Sequence, residues 1–134
     1  MIKKVMSYLN IGSPHVDLVL EKNNLIPGEK VTGVFHVEGG WARQHIKRLE
    51  CDLVKEFQGD TVETVDAVTT ILMSKSMDAN EKAEYPFCYQ LPIPLEPSTE
   101  HISYRLNTRL IFLDDVKSID HDEIVVLGRE TIKA

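Results

Sequence analysis

The chain has 134 residues, a length at which one domain buries about two thirds of the surface that its unfolded chain exposes. Hydrophobic residues make up 43% and charged residues 27%, which is the composition of an ordinary globular domain and argues against disorder and against membrane spans. The 15 Lys and Arg against 21 Asp and Glu give a net charge of -6, and no basic patch is visible. The sequence therefore argues against nucleic acid as a partner.

The first twelve residues are predicted to form a short amphipathic helix. Four apolar residues recur at i, i+3, i+4 and i+7, and they are Ile2, Val5, Met6 and Leu9. Gly12 and Pro14 end this pattern. Docking of the stripe on the rest of the domain is favoured, because nine residues make only a marginal helix alone. The alternative is contact with a membrane or a second chain, where one short helix with Lys3 and Lys4 would bind a membrane weakly.

The sequence predicts a cytoplasmic protein. No apolar run and small-residue cleavage site follow the first ten residues, so a secretory signal is not expected. Cys51 and Cys88 each lie in an apolar, strand-like run, where cysteine behaves as a small buried hydrophobe. We therefore predict two buried thiols in a reducing compartment, with a disulfide between them as the alternative.

After the N-terminal segment the hydrophobic pattern changes to the two-residue period of β-strands. Residues 16–20 and 30–37 flank Pro27-Gly28, a pair that presets the φ angles of a tight turn, and so predict a hairpin. Gly33, inside the second strand, predicts a bulge.

Further strand-like segments follow at regular intervals. They cover residues 46–57, 61–74, 83–91, 104–112 and 124–127. Pro86 marks the third of these as an edge or interrupted strand. About seven strands without alternating helices predict an all-β, immunoglobulin-like sandwich over residues 13–134, preceded by the helix of residues 1–12.

The order of these turns and strands resembles the arrestin-like domains. The motifs that carry the resemblance are Leu25-Ile26-Pro27-Gly28-Glu29-Lys30-Val31-Thr32-Gly33, Tyr85-Pro86-Phe87, Leu91-Pro92, Pro97-Ser98 and the segment from Asp114 to Val125. With Leu9-Asn10-Ile11-Gly12 leading into residues 16–22, nearly the whole chain is similar to the bacterial sporulation-control proteins. The resemblance implies an arrestin-like sandwich that acts as an intracellular adaptor or regulator and binds proteins through strand edges and loops. Arrestins carry two sandwiches, whereas this chain has room for one.

No motif of catalysis or of cofactor binding is visible. The five histidines have neither an HExxH pair nor a cysteine partner at metal-ligand spacing, and they are His15, His36, His45, His101 and His121. GxSxG, P-loop and GxGxxG motifs are absent. We therefore predict a protein that is not an enzyme and that needs no cofactor and no metal.

One cluster of ionisable residues is predicted to lie in a late loop. It consists of Asp114-Asp115 and Asp120-His121-Asp122-Glu123. Converging carboxylates can bind Ca²⁺, but the spacing matches no EF-hand. The alternatives are solvated acids, which are favoured, or acids that pair with Arg105 or Arg109 and fasten the loop to the last strands.

Trp41 is the only tryptophan and follows Gly39-Gly40. It is either an exposed anchor for a partner or folded over one end of the sandwich, and the sequence favours neither. The predicted contacts with partners are Trp41 and the stripe of Ile2, Val5, Met6 and Leu9. We predict a regulatory scaffold that binds proteins by adding a strand at an open sheet edge, with a homodimer as one form of this binding. The alternative is a membrane-peripheral module that uses the N-terminal helix.

Overall fold

The computed structural model describes residues 4–7, 12–58, 61–112 and 117–128, with residues 4–7 and Lys117 described by their backbone. Every regular element in these ranges is a strand, so the all-β prediction is confirmed. The strands are β1 (Lys4–Ser7), β2 (His15–Leu20), β3 (Asn24–Leu25), β4 (Lys30–Glu38), β5 (Gln44–Phe57), β6 (Thr61–Met77), β7 (Lys82–Gln90), β8 (Ile102–Phe112) and β9 (Lys117–Val126). The described strands that the sequence did not predict are β1 and the two-residue β3.

The strands form two sheets. The larger has the order β1-β9-β8-β5-β6, with β3 parallel to β9, and the smaller has the order β2-β4-β7. Alternate residues of β2 and β8 are buried between the sheets, as Leu106 and Leu110 are in β8, and Phe35 of β4 is buried opposite them. Phe35 packs edge-to-face on Phe87 of β7, with ring centroids 5.3 Å apart. The predicted sandwich is confirmed.

Opposite sides of the sandwich are joined by two different side-chain hydrogen bonds. On one side the Leu18 N–H of β2 donates to Oδ2 of Asp120 on β9, at 2.7 Å. On the other side the Tyr89 hydroxyl of β7 donates to Oδ2 of Asp66 on β6, at 2.8 Å. Burial and this carboxylate raise the pKa of Tyr89. Each bond holds an outer strand of the small sheet against the large one.

The predicted turn at Pro27-Gly28 is confirmed. The Glu29 N–H donates to the Ile26 carbonyl at 3.1 Å, and Gly28 has a φ of 87°, which glycine adopts without strain. β2 pairs with β4 as predicted, although β3 lies between them in the chain. The bulge predicted at Gly33 is wrong, because the β2–β4 pairing is regular there. Glycine at this position instead allows β2 to lie close to β4, because a Cβ on Gly33 would overlap the Val19 carbonyl oxygen.

The predicted N-terminal helix is wrong over Lys4–Ser7, which forms β1. This strand pairs antiparallel with β9, where Lys4 lies opposite Asp122 and Ser7 opposite Ile119. Pairing satisfies backbone hydrogen-bonding groups of β9 that face away from β8, whereas a nine-residue helix is marginal without packing. Ile2 and Leu9 lie outside the described residues. The membrane-peripheral alternative loses the helix on which it was based.

The acidic cluster does not lie in a loop over residues 120–123, because these residues belong to β9. Asp120 and Asp122 face the interior and are 0% and 1% exposed. The predicted loop was wrong because acids are usually solvated, whereas Asp120 binds a backbone N–H across the sandwich. Asp114 and Asp115 lie outside the described residues.

Cys51 is buried as predicted, and the prediction for Cys88 is wrong, because Cys88 is exposed. Phe87 and Tyr89, its neighbours in β7, face the interior, and so the two-residue period places Cys88 on the outer face. Both thiols are free.

Candidate functional site

Three loops meet at one end of the sandwich and are tied together through their backbones. The Trp41 N–H donates to the Gly12 carbonyl at 2.7 Å, and the Asn80 N–H donates to the Gly40 carbonyl at 3.0 Å. A third bond, of 2.7 Å, runs from the Gly39 N–H to the Glu81 carbonyl. The chain before β2, the β4–β5 loop and the β6–β7 turn therefore form one connected surface.

Two glycines permit this close approach. A Cβ on Gly12 would lie 2.5 Å from the Trp41 ring, and the Gly12 φ of 84° already disfavours other residues. A Cβ on Gly40 would overlap the carbonyl oxygen of Gly12. The indole of Trp41 therefore lies directly against the backbone of Gly12.

Trp41 remains exposed in spite of this contact. Its exposed fraction is 74%, among the largest of any large hydrophobic side chain in the described part of the chain. The sequence left two positions open for this residue, and the structure places the indole against the loop at the end of the sandwich with most of its surface in water. Its role as a partner contact stays a prediction.

A cavity of about 380 Å³ lies beside the indole. It is lined by Gly12, Ser13, His15, Glu38, Gly39, Gly40, Trp41 and Asn80. Glu38, the last residue of β4, pairs in register with His15, the first residue of β2, and its Oε1 lies 3.3 Å from the His15 Nε2. We call the indole and the residues that line this cavity the Trp41 surface.

Sequence reasoning named Trp41 but missed the polar residues around it. His15 and Glu38 meet because β2 and β4 pair in a particular register, which the hydrophobic pattern alone does not give. Asn80 arrives from the β6–β7 turn with a φ of 61°, a conformation that asparagine adopts more readily than most residues. An Asn in a short polar turn was the one signal available for its conformation.

The Trp41 surface continues onto the outer face of the small sheet. A shallow depression of about 570 Å³ is lined by both β4 and β7 and shares Glu38 with the cavity. In it the His36 Nδ1 lies 3.3 Å from Oε2 of Glu84, the residue opposite it in β7. Lys82 lines the same depression.

The sheet edges differ in how far they are open to a further strand. β2 is covered, because Asp120 already binds the Leu18 N–H. β6 pairs with β5 through three register shifts, and the extra residues at two of them, Val65 and Val68, pack against the core. Such bulges break an edge into short stretches and disfavour the addition of a strand.

β7 is the longest of the described edge strands that pair without a register shift. Nine consecutive residues pair with β4 without a shift, and no described strand lies on the other side. The Leu91 N–H donates to the Glu29 carbonyl, which shows that odd-numbered residues direct their backbone groups towards β4. Pro86 therefore lacks a donor only on the free side, and of the two predicted alternatives, an edge strand or an interrupted strand, β7 is an uninterrupted edge strand among the described strands.

Metal binding and membrane spanning find no support in the described ranges. No group of three or more His, Cys, Asp and Glu in these ranges is placed to hold a metal ion. No helix in them is long and apolar enough to cross a membrane. Arg109, a suggested partner of the acidic cluster, instead binds Glu50 at 3.0 Å and Asp52 at 2.9 Å. Arg105 binds Glu56.

The fold and the surface together define a class, namely a small two-sheet β-sandwich domain with an exposed aromatic end. Comparison with known proteins gives the family. The chain belongs to the SpoOM protein family, Spo0M, whose model matches residues 2–134. The predicted resemblance to the sporulation-control proteins is therefore confirmed.

Individual relatives agree with this family. The chain is 28% identical over 130 residues to the sporulation-control protein spo0M of Bacillus subtilis (strain 168), covering 92% of this chain and 50% of that protein. The crystal structure of Spo0M from Bacillus subtilis superposes with a TM-score of 0.81 at 26% identity, covering 89% of this chain and 51% of that one. The chain thus spans about half the length of the curated relative it matches.

A more distant structure shares the fold alone. The Niemann-Pick type C2 protein from the Japanese carpenter ant matches with a TM-score of 0.60 at 9% identity. The match covers 92% of this chain and 99% of that protein. At such low identity the match supports a two-sheet sandwich fold and carries no functional argument.

Proposed function

We propose that this chain is a non-enzymatic regulatory domain that binds partner proteins and that the Trp41 surface is its main contact. Its membership of the SpoOM protein family and its similarity to a sporulation-control protein support the regulatory role. We place the domain in the cytoplasm, in keeping with its similarity to a bacterial sporulation-control protein.

The single observation that carries partner binding is the exposed, firmly held indole of Trp41. A tryptophan side chain has about 250 Å² of surface, so an exposed fraction of 74% leaves about 180 Å² in water. If a partner covered half of that area, burial would contribute about 2 kcal/mol, or about 30-fold in affinity. Because its loop is held by backbone hydrogen bonds, the indole loses little freedom on binding.

The test compares two variants that each remove one exposed hydrophobic side chain. Proteins captured from extract of the source cells are identified by mass spectrometry, and the most enriched one is purified for titration. Trp41→Ala is expected to weaken its binding at least tenfold. Leu72→Ala is the matched control, because Leu72 is 79% exposed on β6, and binding is expected to change less than twofold. Full binding by Trp41→Ala would contradict the proposal.

Addition of a strand at the free edge of β7 is a second candidate, favoured by the regular pairing of this strand over nine residues. A homodimer through two such edges is one form of it. Cys88→Pro removes a second donor from the free side and leaves the ladder with β4 intact, because Cys88 has the same orientation as Pro86. Loss of partner binding at unchanged thermal stability would support edge addition. Unchanged binding would exclude it at this edge.

A further inference from the structure

We propose that the cavity beside Trp41 receives an arginine side chain of the partner protein. The inference rests on the proposed function and names the group that the Trp41 surface recognises. It is carried by the composition of the cavity wall, which combines an aromatic ring, one carboxylate and no cationic side chain.

The charge of the cavity wall favours a cation. Glu38 is the only carboxylate among the lining residues, and neither lysine nor arginine lines the cavity. The His15 Nε2 lies 3.3 Å from the Glu38 Oε1 and is the other hydrogen-bonding group next to this carboxylate. The nearby cation Arg43 is engaged by Asp78 at 3.5 Å. The cavity therefore favours a positively charged group from outside.

The shape of a guanidinium group also matches the cavity wall. The guanidinium group is planar, stacks on the face of an indole and forms paired hydrogen bonds with a carboxylate. Trp41 and Glu38 line the same cavity and offer both contacts to one group. A lysine ammonium can meet the carboxylate, but it neither stacks as a plane nor binds in a fork. An arginine is therefore the side chain that can stack on Trp41 and form paired hydrogen bonds with Glu38 at the same time.

The cavity has room for a long side chain. A volume of about 380 Å³ equals that of about thirteen water molecules at the density of the liquid, which is ample for one arginine side chain. The net charge of the whole chain is -6, which favours approach of a basic segment. The adjoining depression is lined by a second carboxylate, Glu84, and by one cation, Lys82, so it adds no net positive charge beside the cavity.

The experiment uses the full chain and its single tryptophan as the probe, excited at wavelengths that the four tyrosines do not absorb, so that the emission reports on this site. Three capped tripeptides are titrated, Ala-Arg-Ala, Ala-Lys-Ala and Ala-citrulline-Ala. The arginine peptide is expected to give a saturable change. The neutral citrulline peptide, which keeps the shape, is expected to bind at least tenfold more weakly, and the lysine peptide several-fold more weakly.

Two variants test the carboxylate. Glu38→Gln keeps the size of the side chain and is expected to weaken binding of the arginine peptide at least fivefold. Glu100→Gln is the matched control, because it removes an equal charge from a side chain that is 86% exposed in the segment before β8. It is expected to leave binding unchanged. Circular dichroism of both variants checks that the sandwich is intact.

The outcomes separate this inference from the proposed function. Equal binding of the arginine and citrulline peptides, equal loss in both glutamine variants, or no binding of the arginine peptide overturns the inference. If the arginine peptide does not bind but Trp41→Ala still loses the captured partner, the proposed function stands and the arginine chemistry is wrong. If the arginine peptide binds in a Glu38-dependent way but Trp41→Ala keeps the partner, the site stands and the main contact of the proposed function is wrong.

Discussion

Replacing Asp120 by alanine is expected to destabilise the domain, because this side chain fastens β2 to the large sheet. Its Oδ2 accepts the Leu18 N–H at 2.7 Å, and Asp120 is 0% exposed. Removing the carboxylate leaves a buried backbone donor without that acceptor, which costs about 2 kcal/mol. With an unfolding entropy of about 2.1 cal/mol/K per residue, this corresponds to a fall in Tm of about 7 °C for 134 residues.

Thermal unfolding followed by circular dichroism measures this loss, and hydrogen exchange locates it. The Leu18 amide is expected to exchange slowly in the native chain and much faster in Asp120→Ala, because its acceptor is gone. Asp120→Asn is the control, since the amide oxygen can still accept the bond, and it should retain more than half of the lost stability. An alanine variant as stable as the native chain, with a Leu18 amide still protected, would refute this reasoning.

Three further predictions concern the burial of Cys51, the position of Gly12 and the ion pairs of Glu50. Burial raises the pKa of the Cys51 thiol to about 12, so iodoacetamide at pH 8 should alkylate only Cys88 in the folded chain and both thiols after unfolding. Mass spectrometry that shows two labels on the folded chain would contradict this prediction. Gly12→Ala should destabilise the domain by about 1–3 kcal/mol in urea unfolding and alter the tryptophan fluorescence, because the added Cβ would lie 2.5 Å from the Trp41 indole. An unchanged emission spectrum would contradict the contact between Gly12 and Trp41. The hydrogen bond from Arg48 is the main cause that lowers the pKa of Glu50 below 4.5. The ionised Glu50 therefore stabilises the fold above pH 4.5, and this stabilisation is lost as the pH falls through the lowered pKa of the folded state. Glu50→Gln should lose less stability than the native chain between pH 5 and pH 3, and parallel losses in the two proteins would exclude this contribution of Glu50.

Strands such as β2 and β8 could be predicted because they bury every second residue. Leu106 and Leu110 show this period in β8, and the same rule applied to Phe87 and Tyr89 would have placed Cys88 outside. The N-terminal segment was wrongly predicted as a helix because its apolar pattern covers barely two turns, which is too short to distinguish a helix from a strand. Its pairing with β9 comes from a distant part of the chain, which no local pattern reports.

The candidate site was only partly predictable, for a related reason. Trp41 could be named from its residue type and its position after two glycines, but its cavity depends on strand register and on three loops that meet. Glu38 is an unremarkable strand end in the sequence and acquires its role from the pairing with His15. The acidic residues around Asp120 predict a loop, and its hydrogen-bond partner Leu18 lies 102 positions earlier, where no local pattern reports it. Register and long-range contacts are set by the packed whole.

A partner protein is predicted to cover the Trp41 surface rather than another part of the domain. The chain has one tryptophan, so its nitrogen-15 NMR spectrum contains a single indole N–H signal. During titration with the purified captured partner, this signal and the amides of Gly12 and Gly40 are predicted to shift together and to saturate at one equivalent. An indole signal that stays in place while amides of β7 or another surface shift would contradict the central claim.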